Sequence, residues 1–276
     1  MKKIIILTSD QLRHRFFRKW LALSDQLTVI ASYCESGNKL NPKAVISGGA
    51  PESGLMHRHL AARECSEQDF FRLFDEATPD RSNPITIPAG SVNDPVVQAG
   101  IIASEADLLI AYGCSLIREP LLSRYRGRFI NLHLGLSPYY RGAGTNYWPL
   151  VNGEPEYVGV TFMHIDAGVD SGEVIHQIQA RLYPGDTPHQ IGNRLIGDMA
   201  KVCVDLIRRV DDLASMPQIA IPATARLYRR KDYNEESVGS LYRQFEQGLI
   251  ERYLQQRQSG RRVVPIVENN ALLSES

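Results

Sequence analysis

The feature that most constrains this chain is an alternation of short, unbroken apolar runs with stretches of helical period, repeated from residue 3 to about residue 133. Ile4 to Leu7 holds four aliphatic residues with no polar alternation. That is the pattern of a strand buried on both faces of a parallel sheet. It is followed by "QLRHRFFRKWLAL", where Leu12, Phe16, Trp20 and Leu23 form one helical stripe and Thr8, Ser9 and Asp10 stand in front as N-cap candidates. Strand signals recur in "LTVIASYC" (Leu27 to Cys34), "NPITIP", "DLLIAYG" and "GRFINLH"; helical spacing recurs in "HRHLAARECSEQDFFRLFDEA" and "PVVQAGIIASEA". This order predicts an α/β fold with a mainly parallel, Rossmann-like sheet. The stretch from Glu35 to Gly54, rich in Gly, Pro, Asn and Ser, reads as a long loop.

Beyond residue 133, "EYVGVTFMHID" and "GEVIHQIQARL" read as two further strands that pair, and Thr187 caps a long helix in "TPHQIGNRLIGDMAKVCVDLIRRV". From about Asp211 the texture becomes irregular and proline-containing. We therefore divide the chain into a first domain, residues 1–205, and a C-terminal extension, residues 206–276, carrying one long amphipathic helix. Its stripe runs through Val238, Leu241, Tyr242, Phe245, Leu249 and Tyr253. The pattern fits two outcomes: the stripe covers the chain's own core, or it joins a second copy in a homo-oligomer. The basic run from Arg226 to Lys231 reads as a solvated face, with phosphate contact as the alternative.

Composition narrows the partners. Across 276 residues, 31 basic and 31 acidic side chains balance to a formal net charge of zero, so neither a nucleic-acid nor a membrane partner is expected. The apolar run after the two N-terminal lysines is too short for the core of a signal peptide, and no run approaches a membrane span; a cytoplasmic location is expected. Cys34, Cys65, Cys114 and Cys203 make no C-x-x-C pair and read as reduced core thiols. His57 and His59 lack a third ligand, so no metal is assigned.

Ligands of such folds gather at the carboxyl ends of strands, where "NLHLGLSPYYRGAGTNYWPL" begins. Asn131 and His133, two apart in an extended segment, point to the same side. An amide N–H can donate to an oxygen gaining negative charge, and an imidazole can donate or shuttle a proton. Asp170, in the glycine-flanked "GVDSG", can fix the histidine's protonation state and receive a proton, directly or through water. Together these suit acyl transfer to an amine; a packed or solvent-facing histidine is the alternative that spacing alone leaves open. Arg13 and Arg15, beside His14 at the start of the first helix, suit a phosphate or pyrophosphate, with a basic solvated first turn as the alternative.

Asn131, His133, Pro138, Arg141 and Gly142, followed by Asp166, Gly168, Asp170 and Gly172, resemble the two motifs of the folate-dependent formyltransferase family over residues 2 to about 205. That family includes the glycinamide ribonucleotide, methionyl-tRNA and nucleotide-sugar enzymes. The resemblance implies transfer of a formyl group from 10-formyltetrahydrofolate to a primary amine. It gives Asn131 and His133 the oxyanion and Asp170 the proton relay. It further implies folate contacts at Ser115, Leu116, Ile117, Asp166 and Gly168, and acceptor contacts at Arg141, Asn146 and Trp148, a buried aromatic anchor being the alternative for the last two; Arg13 and Arg15 join the acceptor set from their place on the first helix. "RGAGTNYWPL" is nearest to the sugar N-formyltransferases, so a nucleotide-linked amino sugar in surface-polysaccharide biosynthesis is the leading acceptor. Hydroxyornithine, glycinamide ribonucleotide and methionyl-tRNA are the alternatives, with a non-catalytic folate-binding relative as the reading from another class. Two departures stand out: His133-Leu134-Gly135 replaces His-Pro-Ser, and "TSDQLRHRFF" replaces the Gly-x-Gly-Ser-Asn loop of the purine-pathway enzymes. An NAD-dependent oxidoreductase is argued against by the lack of G-x-G-x-x-G after the first strand.

Overall fold

The computed structural model describes residues 1–37, 54–218, 225–260 and 263–272. Most of the loop expected between residues 35 and 54 lies outside that range. Seven strands form the central sheet: β1 (Lys2–Ser9), β2 (Leu27–Ser36), β3 (Pro84–Pro88), β4 (Leu108–Tyr112), β5 (Phe129–His133), β7 (Gly159–His164) and β8 (Val174–Gln179). Their order is β3-β2-β1-β4-β5-β7-β8. The first five run parallel; β7 is antiparallel to β5 and to β8. Apart from this sheet, β6 (Tyr140–Gly142) pairs in parallel with β9 (Arg226–Tyr228).

The place of β1 explains its composition. It lies third from one edge, covered on both faces, and Ile4, Ile5, Ile6 and Leu7 are all fully buried. Ile4 and Ile6 enter a core shared with α1 (Leu12–Ala22), α2 (Leu55–Ala77) and α6 (Pro188–Arg208). Ile5 and Leu7 enter a second core on the other face, closed by α3 (Pro95–Ala103) and the one-turn α4 (Leu121–Arg124). Thr187 caps α6 as expected: its hydroxyl accepts from the Gln190 N–H at 3.2 Å, and the Gln190 carboxamide accepts from the Thr187 N–H at 2.9 Å. The caps expected for α1 do not form. Thr8 and Ser9 remain in β1, where the Thr8 hydroxyl donates to the Tyr112 carbonyl, and Gln11 takes the cap position without a side-chain bond.

The single C-terminal helix expected from the stripe is two helices, α7 (Glu235–Glu246) and α8 (Leu249–Gln258). Gly248, at φ +71°, turns the chain through the left-handed region where glycine carries no steric penalty. Leu241, Leu249, Ile250 and Tyr253 nevertheless all enter the main core, so this part of the stripe packs on its own chain. The cysteines also need correction: Cys34 and Cys203 are buried, but Cys65 on α2 is exposed and Cys114 half-buried, all four being free thiols. Among the described residues no helix is long and apolar enough to cross a membrane.

Candidate active site

A cavity of about 620 Å³ opens at the carboxyl ends of β1, β4 and β5. The pleat of β5 decides what faces it. Ile130 and Leu132 point into the main core, leaving Asn131 and His133 on the other side, where both line the cavity. The loop from Asp166 to Gly172, between β7 and β8, brings in the third group. Asp170 Oδ1 accepts from Asn131 Nδ2 at 3.4 Å and lies 3.3 Å from His133 Nδ1, so both side chains converge on one carboxylate oxygen. His133 Nε2 lies 3.5 Å from the Tyr140 carbonyl oxygen. Asp170 adopts φ +52°, a left-handed conformation that aspartate tolerates better than most residues. An amide, an imidazole and a carboxylate 39 residues downstream of Asn131 are thus one cluster.

Gly135 is part of the same packing. A Cβ at this position would stand 2.5 Å from Thr145 Cβ and 2.8 Å from His133 Nε2. The Thr145 hydroxyl, which donates to the Leu134 carbonyl, fills the space where a side chain at 135 would lie.

Of the expected folate contacts, Ser115, Leu116, Ile117, Asp166 and Gly168 all line the cavity. Their free groups differ. The Ser115 N–H donates to Glu35 Oε2 at 2.6 Å, and the Leu116 carbonyl accepts from Asn93 Nδ2 at 2.8 Å. Ile117 is buried in the second core, whereas the Leu116 side chain is 59% exposed at the rim. The Asp166 carboxylate accepts from the Gly168 N–H and the Ser171 hydroxyl, so it shapes its own loop.

The expected acceptor residues divide. Arg13, Asn146 and Trp148 line the cavity; Arg15 and Arg141 do not. Arg13 and Arg15 are two apart on a helix and therefore point to different sides. Arg15 shares Asp75 with Lys19, at 2.9 and 2.8 Å, on the surface of α2. Arg13 pairs with Glu67 at 2.8 Å, which also meets Arg63 at 3.2 Å. Burial and the neighbouring Arg63 lower the Arg13 pKa, opposed by Glu67. Arg141 donates to the Val169 carbonyl at 3.1 Å, which ties it to the loop of Asp170. The Asn146 carboxamide oxygen accepts from the Gly159 N–H at 2.9 Å, anchoring it to β7. Trp148, at the start of the one-turn α5 (Trp148–Val151), donates to the Ala143 carbonyl and stacks on Tyr228 at 4.1 Å between ring centroids, with 6° between planes.

His57 and His59 sit on α2, not on a loop. His59 lies 4.7 Å from the His189 ring and within 3.1 Å of the Tyr242 hydroxyl, in the cavity's second wall. Burial depresses both imidazoles, His59 to about 3 and His189 to about 4. Among the described residues no group of three His, Cys, Asp or Glu could hold a metal ion. The sequence reading missed Glu35, Arg63, Glu67 and His189, and took Arg229 and Arg230, which line the cavity, as a solvated face. The buried Glu35 ties two loops through the N–H groups of Ser115 and Gly90, 80 and 55 residues away, a relation with no local sequence signal.

The formyl transferase family model matches residues 2–207. A methionyl-tRNA formyltransferase of Agathobacter rectalis is 35% identical over 105 residues, 38% of this chain and 33% of that one. A methionyl-tRNA formyltransferase of a Synechococcus species is 32% identical over 155 residues, 54% of this chain and 48% of that one. The matched regions thus span less than half the length of these relatives. Among solved structures, a sugar N-formyltransferase from a Shewanella species superposes with a TM-score of 0.55 at 18% identity, covering 84% of this chain and 78% of its own. Glycinamide ribonucleotide transformylase 1 from Symbiobacterium toebii gives 0.52 at 17% identity, covering 78% and 94%. At such identities these two show a shared fold.

Proposed function

Because the chain belongs to the formyl transferase family, we propose that it is an N-formyltransferase that passes the formyl group of 10-formyltetrahydrofolate to a primary amine, that of a nucleotide-linked amino sugar. The observation that carries the reading is the convergence of Asn131 and His133 on Asp170 Oδ1 at one end of the cavity. When bound, the folate supplies a formyl group already at the oxidation level of the product amide. Leu116, Met163, Ile165 and Val169 give that part of the cavity apolar walls suited to a flat ring system.

The roles follow from donor and acceptor chemistry. Asn131 Nδ2 donates to the carbonyl oxygen as the amine adds and negative charge gathers there. His133 adds a second donor. Asp170, acceptor-only when ionised, takes the proton that the amine must lose, through a water or directly, and meanwhile holds the imidazole's Nδ1 side. The acceptor side is supported by a different set of groups. Arg13, Arg63, Arg229 and Arg230 line the cavity, with Glu67 the carboxylate that pairs with Arg13 and Arg63, a basic set that suits a phosphate-bearing acceptor. Trp148, backed by the stacked Tyr228, offers an aromatic wall for a sugar or base ring together with Tyr147 and Tyr233. A role in surface-polysaccharide biosynthesis in the cytoplasm goes with that substrate.

A panel assay tests the reading. Protein and 10-formyltetrahydrofolate are offered nucleotide-linked amino sugars, hydroxyornithine, glycinamide ribonucleotide and charged methionyl-tRNA, and the acceptor mass is followed. A formyl gain on an amino sugar is expected. A gain on methionyl-tRNA alone would replace the acceptor, release of tetrahydrofolate without any acceptor would mean hydrolysis, and no release would leave a non-catalytic folate-binding relative.

Gly135→Ala probes the packing behind His133. With 2.8 Å between the new Cβ and Nε2, the ring must move, and turnover is expected to fall about tenfold or more. The variant's rate, measured on protein with native circular dichroism, checks this; wild-type turnover would mean that the ring's present position does not matter.

A further inference from the structure

The Asp170 loop makes few backbone bonds of its own kind; side chains from elsewhere take its carbonyls. Arg141 donates to the Val169 carbonyl at 3.1 Å. The Gln218 carboxamide nitrogen donates to the carbonyls of Asp170 and Gly172, at 2.8 and 3.0 Å, one for each of its N–H groups. Gln218 lies beyond the family-matched region, which ends at residue 207. Its own segment is fixed in turn. Met216 and Val174 exchange N–H to carbonyl bonds at 2.8 Å each, and Asn269 Nδ2 donates to the carbonyls of Ala214 and Ile175 at 2.9 and 3.0 Å.

We propose that Gln218 is a positioning residue: by gripping the peptide carbonyls on either side of Ser171, it holds Asp170 with its carboxylate against Asn131 and His133. The physical need is clear from the backbone. Asp170 sits at φ +52°, a conformation that a non-glycine residue keeps only where its surroundings determine it. The proposal rests on the reaction inferred above for the meaning of a rate, and on the loop geometry alone for the clamp.

Gln218→Met removes both donors while keeping the length of the side chain. We expect kcat to fall about tenfold with the KM of donor and acceptor within about twofold, because a misplaced proton acceptor acts on the transition state and not on ground-state binding. In an Asp170→Asn background the same change should have no further effect, since a residue that acts through Asp170 has nothing left to position. Hydrogen exchange should show faster amide exchange at residues 168–173 only, with the thermal midpoint unmoved. Unchanged kcat and exchange, losses that multiply in the double variant, or a rate loss matched by a lower midpoint would each overturn the proposal. If the wild-type protein transfers no formyl group, the functional reading fails, while the exchange comparison still decides whether Gln218 clamps the loop.

Discussion

Under the proposed function, Asp170→Asn is expected to lower kcat by about 10² to 10⁴-fold, the range that a positioned general base contributes, while the protein folds and still binds the folate. The substitution isolates chemistry from shape. Asparagine matches aspartate in size and is among the few residues that tolerate positive φ, so the backbone at +52° is kept. What changes is the atom that meets Asn131 Nδ2 and His133 Nδ1, 3.4 and 3.3 Å away. An ionised carboxylate accepts from both and can take a proton; a carboxamide offers one neutral acceptor and two donors, and takes none. Single-turnover rates with saturating donor and acceptor, beside folate titrations, separate the two effects. A variant within about twofold of wild-type turnover would remove the carboxylate from the proton's path and with it the assigned mechanism.

Lowering the pH from 7 to 5 is expected to remove several kcal/mol of folding stability, with the buried histidines as the source. Burial depresses His14, His59, His164, His176 and His189: His59 to about 3, His176 and His189 to about 4. An unfolded histidine titrates near 6.5. Between that value and the depressed native one, the unfolded chain binds protons that the native chain refuses, so stability is complete above about 6.5 and falls as the pH drops. Each such group contributes at most about 2 kcal/mol at pH 5, less where it is partly open to solvent. Against a typical domain stability of about 5–15 kcal/mol the sum is large. His176 shows a local reason: its Nδ1 accepts the Asn269 N–H at 3.0 Å, which a protonated ring could not do. The depressed carboxyl groups Asp75 and Asp80 lose their contribution only below their usual value near 3.8, outside this window. Urea unfolding at pH 7, 6 and 5 measures the slope directly. A flat profile would show that these imidazoles gain protons in the native state as readily as in the unfolded one.

Much of the fold was legible because its strands are buried on both sides. Ile4 to Leu7 carries its own burial in its composition, and Thr187 with Gln190 marks a helix start by side-chain chemistry alone. The cluster of Asn131, His133 and Asp170 was legible where a two-residue period and a motif order coincide. Other residues were misplaced for identifiable reasons. Arg15 was grouped with Arg13 by closeness in sequence, although a helix sends them apart. Arg141, expected at the acceptor from its motif position, does not line the cavity and bonds a carbonyl 28 residues on, a partner that its place in the sequence does not signal. The break at Gly248 left no mark on the stripe, because α8 restarts in a phase that returns Leu249 and Tyr253 to the same core. Glu35, Glu67 and Gln218 act through partners fixed only by tertiary structure.

The pairing of β6 with β9 bears on how such a chain diverges. β9 lies past residue 207, yet Tyr228 covers Trp148, and Arg229 and Arg230 follow it onto the cavity wall. Part of the cavity wall therefore lies outside the family-matched stretch that carries Asn131, His133 and Asp170. Under the proposed function, a lineage could recut its acceptor preference at Arg229 and Arg230 while Asn131, His133 and Asp170 stay untouched, so new substrates could be tried without first losing the old chemistry.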